Sequence, residues 1–222
     1  MSQPGNIPVI AVDGPGGSGK GTITTRLAEY LGWHFLDSGA LYRLTALAVM
    51  KHKVPLDDDA ALGEIAANLD IHFETHAGSV KALLEGVDVS AELRFEDTGV
   101  IASRIAAIPA VRTALSARQR RFRQAPGLVA DGRDMGTVIF PDAQLKIFLT
   151  ASAEIRAERR HKQLKEKGES VNLTRLFREI KARDLRDQSR SVAPLRPAED
   201  AVIIDSTHLS IEEVFEKVLS LL

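Results

Sequence analysis

The residues with the clearest chemical potential form a glycine-rich stretch that ends in a lysine and a hydroxyl side chain. Successive backbone N–H groups of such a stretch can point into one concavity, and the lysine ammonium can reach the outer phosphates of a nucleotide. The pattern predicts a nucleotide-phosphate site. Its expected members are Gly14, Pro15, Gly16, Gly17, Ser18, Gly19, Lys20, Gly21 and Thr22.

The segments on either side of this loop decide between a binding site and an ordinary turn. Residues 9–12 are four consecutive apolar residues, which predicts a short buried strand, and residues 22–31 have apolar side chains at helical spacing. A glycine-rich turn without a ligand is the alternative interpretation. Strand, glycines, lysine and helix occur together in the required order, which favours phosphate binding, aided by the positive end of the helix.

One position departs from the usual pattern. A Ser or Thr normally follows the lysine and contacts Mg²⁺, whereas here Gly21 intervenes and the hydroxyl belongs to Thr22. Mg²⁺ retains several waters and relies on substrate phosphates. We therefore expect no direct metal ligation by this loop and a contact from Thr22 through water.

A second charged group follows another apolar strand. Residues 128–130 lead directly into Asp131, Gly132, Arg133 and Asp134. Ligands of open α/β sheets bind beyond the carboxyl ends of the strands, so carboxylates and an arginine at such an end predict a functional site.

Two helical segments carry further arginines. In residues 172–190 an apolar stripe continues into Arg183, Asp187 and Arg190, which favours substrate contact over a simple ion pair within the helix. Residues 154–167 are dense in basic side chains, which indicates either a solvated helix or a lid whose arginines close over phosphates.

The chain as a whole alternates strands and helices. This order predicts an α/β fold with a P-loop NTPase-type core, a five-stranded parallel sheet flanked by helices. Between Asp70 and Val89 the pattern changes to three short strands with turns at Ala77-Gly78 and Glu85-Gly86, which predicts an antiparallel meander. We expect residues 7–54 and 127–222 to form the core, 55–126 an inserted subdomain and about 154–169 a short lid.

Composition restricts the class of protein. The chain has 222 residues, 44% of them hydrophobic, a net charge of −1 and no cysteine. A large nucleic acid partner is disfavoured by the lack of basic excess, and neither a signal peptide nor an apolar membrane span is evident. We expect a cytoplasmic protein, since the absence of cysteine fits a reducing compartment.

Several stretches together resemble those of bacterial cytidylate kinases, from one end of the chain to the other. The resemblance implies transfer of the γ-phosphoryl group of ATP to CMP or dCMP with Mg²⁺, in a monomer whose insert binds the monophosphate. The stretches are residues 13–22, 36–43, 130–138, 180–187 and 205–207.

The resemblance also implies roles for individual residues. Lys20, Arg133, Arg190 and Asp131 are expected in catalysis, and Arg159 at the ATP phosphates. The expected CMP-binding residues are Ser38, Tyr42, Arg43, Ser103, Arg112, Arg133, Asp134, Arg183, Asp187 and Arg190. Ser103, Arg112 and Asp134 would surround cytosine, Arg183 and Asp187 the ribose, and the other residues the monophosphate.

Two other functions are compatible with the loop. A kinase for another small acceptor, such as UMP or a phosphorylated sugar, would use the same phosphate site. A nucleotide switch would need a guanine-reading Asn-Lys-x-Asp element, but Asn6, Asn68 and Asn172 are each followed by another residue than lysine.

Overall fold

The computed structural model describes residues 7–76, 79–166, 168 and 170–222, without the side chains of residues 75, 76, 79 and 80. Labels follow chain order. The strands are β1 (Val9–Asp13), β2 (His34–Asp37), β3 (Ile71–His76), β4 (Ser79–Leu84), β5 (Val87–Asp88), β6 (Leu128–Gly132), β7 (Leu145–Thr150) and β8 (Val202–Asp205). The helices are α1 (Lys20–Leu31), α2 (Ser38–Lys51), α3 (Asp59–Ala67), α4 (Glu96–Ile105), α5 (Pro109–Arg120), α6 (Ala153–Glu166), α7 (Leu173–Ser189) and α8 (Ile211–Leu219).

The chain divides into two compact units, Met1–Asp37 with Arg120–Leu222, and Ser38–Gln119. The first unit contains the predicted five-stranded sheet, in the order β2-β6-β1-β7-β8, with every pair parallel. All five residues of β1 are buried, as expected for a strand with both faces covered. The predicted fold class is confirmed.

Sheet register brings two of the charged segments together. Asp13 lies opposite Gly132 and Val12 opposite Asp131, so β1 and β6 end at the same edge. The glycine-rich loop leaves β1 at this edge, and Arg133 and Asp134 follow β6 there. Parallel pairing therefore explains why residues more than a hundred positions apart share one site.

The second unit has its own core, formed by residues such as Leu44, Leu62, Ile105 and Leu115. Its strands β3, β4 and β5 form the predicted antiparallel meander. Glu85 and Gly86 both have positive φ, 50° and 76°, which makes the tight turn between β4 and β5. The turn expected at Ala77-Gly78 lies outside the described residues.

The units differ in extent from the predicted core and insert. Helix α2 belongs to the second unit because its buried side chains Leu44, Ala48 and Val49 are part of that core. Ser38 is the first residue of α2, since β2 passes into the helix with no intervening loop. Within the described part of the chain, no single helix could cross a membrane, although the bent pair α4 and α5 meets the criteria of length and composition when counted together.

Candidate active site

The backbone of the glycine-rich loop favours glycine at three positions, Gly14, Gly17 and Gly19, which all have positive φ. Gly14 has a φ of +149°, and a Cβ there would lie 2.0 Å from the carbonyl oxygen of Leu149 on β7. Gly17 has a φ of +81°, in the region that other residues seldom adopt. These glycines let the loop turn sharply between β1 and α1.

Lys20 is the first residue of α1 and is directed back along the loop. Its Nζ lies 3.4 Å from the carbonyl oxygen of Pro15 and 3.5 Å from Oδ1 of Asp131. The residue is 7% exposed. Gly21 and Thr22 follow on the first turn of α1 and are exposed, so the hydroxyl of Thr22 can meet water.

Burial shifts the pKa values of Lys20 and Asp131. Desolvation, with the nearby Arg133 cation, lowers the pKa of Lys20 to about 8, against the opposing effect of Asp131 and Asp37. Desolvation likewise raises the pKa of Asp131, although Lys20 lowers it. Each group therefore depends on the other, or on a charged ligand, to remain ionised.

A cluster of three arginines and one aspartate lies beside the loop. Arg133 Nε donates to Oδ2 of Asp187 at 3.2 Å, and Arg190 Nη2 donates to Oδ1 of the same carboxylate. A Cβ added to Gly16 would lie 3.4 Å from Arg133 Nη2 and 3.6 Å from Arg183 Nη1. The first unit thus brings together Lys20, Arg133, Arg183, Asp187 and Arg190.

Asp187 remains charged despite its burial. Desolvation alone would raise its pKa, but Arg133, Arg190 and Arg183 together lower the pKa below its usual range. The carboxylate holds the guanidinium groups of Arg133 and Arg190 close to each other. Two adjacent guanidinium groups suit an oxyanion such as a phosphate.

Asp134 is buried, with 3% exposure, at the start of a π-helical turn formed by Met135–Ile139. Its carbonyl oxygen accepts from the backbone N–H of Val138 at 2.9 Å. The backbone of this turn therefore fixes the position of Asp134 at the end of β6.

Arg159 contacts the glycine-rich loop at Ser18 and also bonds to Ser206. Its Nη1 donates to Ser206 Oγ at 3.2 Å and approaches the carbonyl oxygen of Ser18 at 3.5 Å. Its Nη2 donates to the carbonyl oxygen of Ser206 at 2.7 Å. Ser206 Oγ in turn lies 3.0 Å from the Ser18 carbonyl oxygen.

The remaining residues expected at CMP lie in the second unit. Ser38 and Tyr42 are buried on α2, Ser103 on α4 and Arg112 on α5. Arg43 Nη1 donates to the carbonyl oxygens of Leu93 at 2.8 Å and Phe95 at 3.1 Å. A Cβ at Gly99 would lie 2.7 Å from Arg43 Nη2, so that glycine makes room for the guanidinium.

The sequence included Arg156 only among the basic residues of the expected lid helix, whereas the structure places its side chain at the glycine-rich loop. Its Nη1 donates to the carbonyl oxygen of Gly16 at 3.1 Å, and its two terminal nitrogens pair with the carboxylate of Asp184. Arg156 is 4% exposed. Because the partners are 28 positions apart on different helices, no local pattern could have revealed this pair.

A parallel strand, a glycine-rich loop and a lysine at the start of a helix follow one another along the chain. These features define a P-loop nucleotide-binding protein. The family model described as cytidylate kinase matches residues 10–222. The chain is 60% identical to the cytidylate kinase of Aeromonas hydrophila subsp. hydrophila over 218 residues, which are 98% of this chain and 95% of the relative. It is 58% identical to that of Klebsiella pneumoniae (strain 342) over 214 residues, 96% and 94% of the two chains.

The chain belongs to the cytidylate kinase family, and the resemblance inferred from the motifs is confirmed. Among solved structures, a gluconokinase from Sinorhizobium meliloti 1021 aligns over 96% of this chain and 90% of its own, with a TM-score of 0.47 and 18% identity. A likeness at that level supports no conclusion about function.

Proposed function

We propose that this protein transfers the γ-phosphoryl group of ATP to CMP and dCMP, releasing ADP with CDP or dCDP. The observation that carries the proposal is the position of Arg133, Asp187 and Arg190 beside the loop that holds Lys20. Family membership supports the choice of cytidylate as acceptor. ATP phosphates would bind along the loop from Gly14 to Thr22, and Arg159 would add a cation near Ser18.

The reaction requires positioning and charge neutralisation rather than covalent catalysis. The attacking atom is a phosphate oxygen of CMP, which is already ionised at neutral pH, so no general base is needed. Arg133 and Arg190 would hold this phosphate in line with the γ-phosphorus, and Lys20 would stabilise charge on the transferred group. Asp187 keeps the two arginines together.

Mg²⁺ fits the donors present near the loop. Asp131 is a buried carboxylate 3.5 Å from the Cβ position of Gly21, and hard oxygen donors of this kind suit Mg²⁺ or its waters. Within the described ranges, no group of three or more His, Cys, Asp or Glu side chains could hold a metal. Asp131 and Thr22 would thus contact the ion through water, and the ion would neutralise charge on the ATP phosphates.

The lowered pKa of Lys20 predicts an alkaline limit to activity. In the unliganded protein the ammonium loses its proton above about pH 8, so kcat/KM for ATP should fall roughly tenfold per pH unit beyond that point. Bound phosphates favour the charged form, so kcat should decline only at higher pH. Steady-state rates from pH 6 to 10 measure both limbs. Lys20→Arg serves as the comparison, because its guanidinium stays charged. If kcat/KM for ATP falls above pH 8 in this variant as it does in the parent, the fall does not arise from loss of the Lys20 proton.

Base selection is assigned to Asp134. Its carboxylate would accept a hydrogen bond from the exocyclic amine of cytosine. Uracil has a carbonyl at that position, so two hydrogen-bond acceptors would face each other. Asp134→Asn should reduce the ratio of kcat/KM for CMP to that for UMP by about 10- to 100-fold, the value of one hydrogen bond to a charged group, and should leave KM for ATP within about twofold. Competing the two acceptors in one assay measures the ratio. An unchanged ratio in the folded variant contradicts the role.

A panel of acceptors tests the function itself. ADP release is measured with CMP, dCMP, UMP and AMP at equal concentrations, with ATP and Mg²⁺. We expect CMP and dCMP to be the preferred acceptors. Preference for UMP would reassign the protein to the alternative acceptor, and preference for AMP would overturn the assignment of Asp134.

The second unit would also contribute residues to the binding of the acceptor. It carries Arg43, Ser103 and Arg112, and it contains most of the range 55–126 assigned to the insert. Helix α6 would act as the lid. We also propose that the protein is a cytoplasmic monomer; the absence of cysteine supports a reducing compartment.

A further inference from the structure

Asp13 is a buried carboxylate to which neither the motif nor the proposed mechanism assigns a role. It ends β1, directly before Gly14, and is 4% exposed. Its Oδ1 accepts from the backbone N–H of Met135 and its Oδ2 from that of Gly136, both at 2.8 Å. These are the first two residues of the π-helical turn that follows Asp134.

The first N–H groups of a helical turn lack partners within the turn, and an anion is favourable there. Asp13 supplies both acceptors from a neighbouring strand. An asparagine would supply only one, and its amide N–H₂ would face the second backbone N–H. The interaction therefore requires a carboxylate and not merely a polar side chain of this size.

Close packing restricts the same turn from other sides. A Cβ at Gly132 would lie 2.7 Å from Met135 Cε, and a Cβ at Gly136 would lie 3.1 Å from Lys146 Cδ and 3.5 Å from Asp13 Oδ2. The turn Met135–Ile139 therefore has little space in which to shift while its first N–H groups bond to Asp13. Asp134, whose carbonyl oxygen begins the turn, is held with it.

Ionisation of the buried Asp13 carboxylate opposes folding. Burial, with the lowering effect of the Met135 and Gly136 N–H groups against it and a smaller raising effect of the Asp134 and Asp131 carboxylates, raises the pKa of Asp13 to about 7. A carboxylate whose pKa is raised by folding lowers the stability of the fold when it is ionised.

We propose that Asp13 is a positioning residue that fixes Asp134 for base recognition and ties it to the phosphate loop, which begins at the next residue. The inference depends on the proposed role of Asp134 in reading cytosine. It predicts that loss of the Asp13 carboxylate affects the choice of acceptor more than the binding of ATP.

The test is Asp13→Asn, with CMP, UMP and ATP varied separately. We expect KM for CMP to rise and the CMP to UMP preference to fall, each by about 10-fold, with KM for ATP within about twofold. Asp142→Asn, an exposed aspartate paired with Arg123 in the same unit, is the control and should leave all values unchanged. An unaltered preference, or equal effects on CMP and ATP, would overturn the proposal.

The double variant Asp13→Asn with Asp134→Asn tests whether the residues act together. If Asp13 works through Asp134, the second change should add little to the loss of preference, whereas independent effects would multiply and contradict the proposal. If Asp134→Asn alone leaves the preference intact, the proposal that Asp13 acts through Asp134 fails with it, whereas the panel of acceptors separately decides whether the protein is a CMP kinase.

A second variant covers the case in which Asp13→Asn does not fold. Gly136→Ala adds a methyl group 3.1 Å from Lys146 Cδ, which is a tight contact, and 3.5 Å from Asp13 Oδ2, while the carboxylate remains. The proposal expects the same pattern, a raised KM for CMP and a reduced CMP to UMP preference, with ATP spared. Unchanged preference in this variant overturns the positioning role.

Discussion

Replacing Lys20 by alanine should reduce kcat by about 10³-fold or more, because it removes the buried cation that we propose stabilises the transferred phosphoryl group. The Nζ of Lys20 lies 3.4 Å from the carbonyl oxygen of Pro15 in the glycine-rich loop. Single-turnover measurements with saturating ATP and CMP separate this loss from weaker binding.

Lys217→Ala is the matched control, because Lys217 is exposed on α8. It should retain full activity. Lys20→Ala also leaves Asp131 buried without its cation, so thermal unfolding is recorded in parallel. A folded Lys20→Ala protein with kcat within tenfold of the parent would refute the assigned role.

Replacing Asp187 by asparagine should lower kcat/KM for CMP by about 100-fold or more. The carboxylate is 2% exposed and bonds both Arg133 and Arg190. Breaking a buried ion pair costs about 3–5 kcal/mol, since the partner charge is left uncompensated. We expect the two arginines to separate and the CMP phosphate to lose its alignment, while KM for ATP changes much less.

The same helix offers a control for that variant. Glu179 forms an exposed pair with Arg175 at 2.7 Å, of the kind that contributes little. Glu179→Gln should leave kcat/KM unchanged within experimental error. Equal losses in the Glu179 and Asp187 variants would show that the effect arises from the charge of the helix and not from the cluster.

The parts of the fold that depend on local pattern could be predicted from the sequence. Four apolar residues identified β1, and the glycines with Lys20 identified the loop. Two helix starts likewise depend on residues close in sequence: Asp58 accepts from the backbone N–H of Ala61 at the start of α3, and Ser210 with Glu213 forms a capping box on α8.

The parts that depend on contacts between distant segments could not be predicted in the same way. Asp13 bonds residues more than a hundred positions away, and Arg156 pairs with Asp184 on another helix. Asp13 and Met135 both lie in stretches that the sequence marks as functional, but no local pattern indicates that these two residues bond to each other. The limits of the two units were also set by packing, since α2 carries apolar residues that could have covered either core.

The most direct test of the central claim is a crystal structure with CMP, Mg²⁺ and a non-hydrolysable ATP analogue. We predict that the CMP phosphate accepts hydrogen bonds from Arg133 and Arg190, that the cytosine amine donates to Asp134, and that the γ-phosphate lies at Lys20. CMP bound with its phosphate away from both arginines, or with cytosine away from Asp134, would contradict the account.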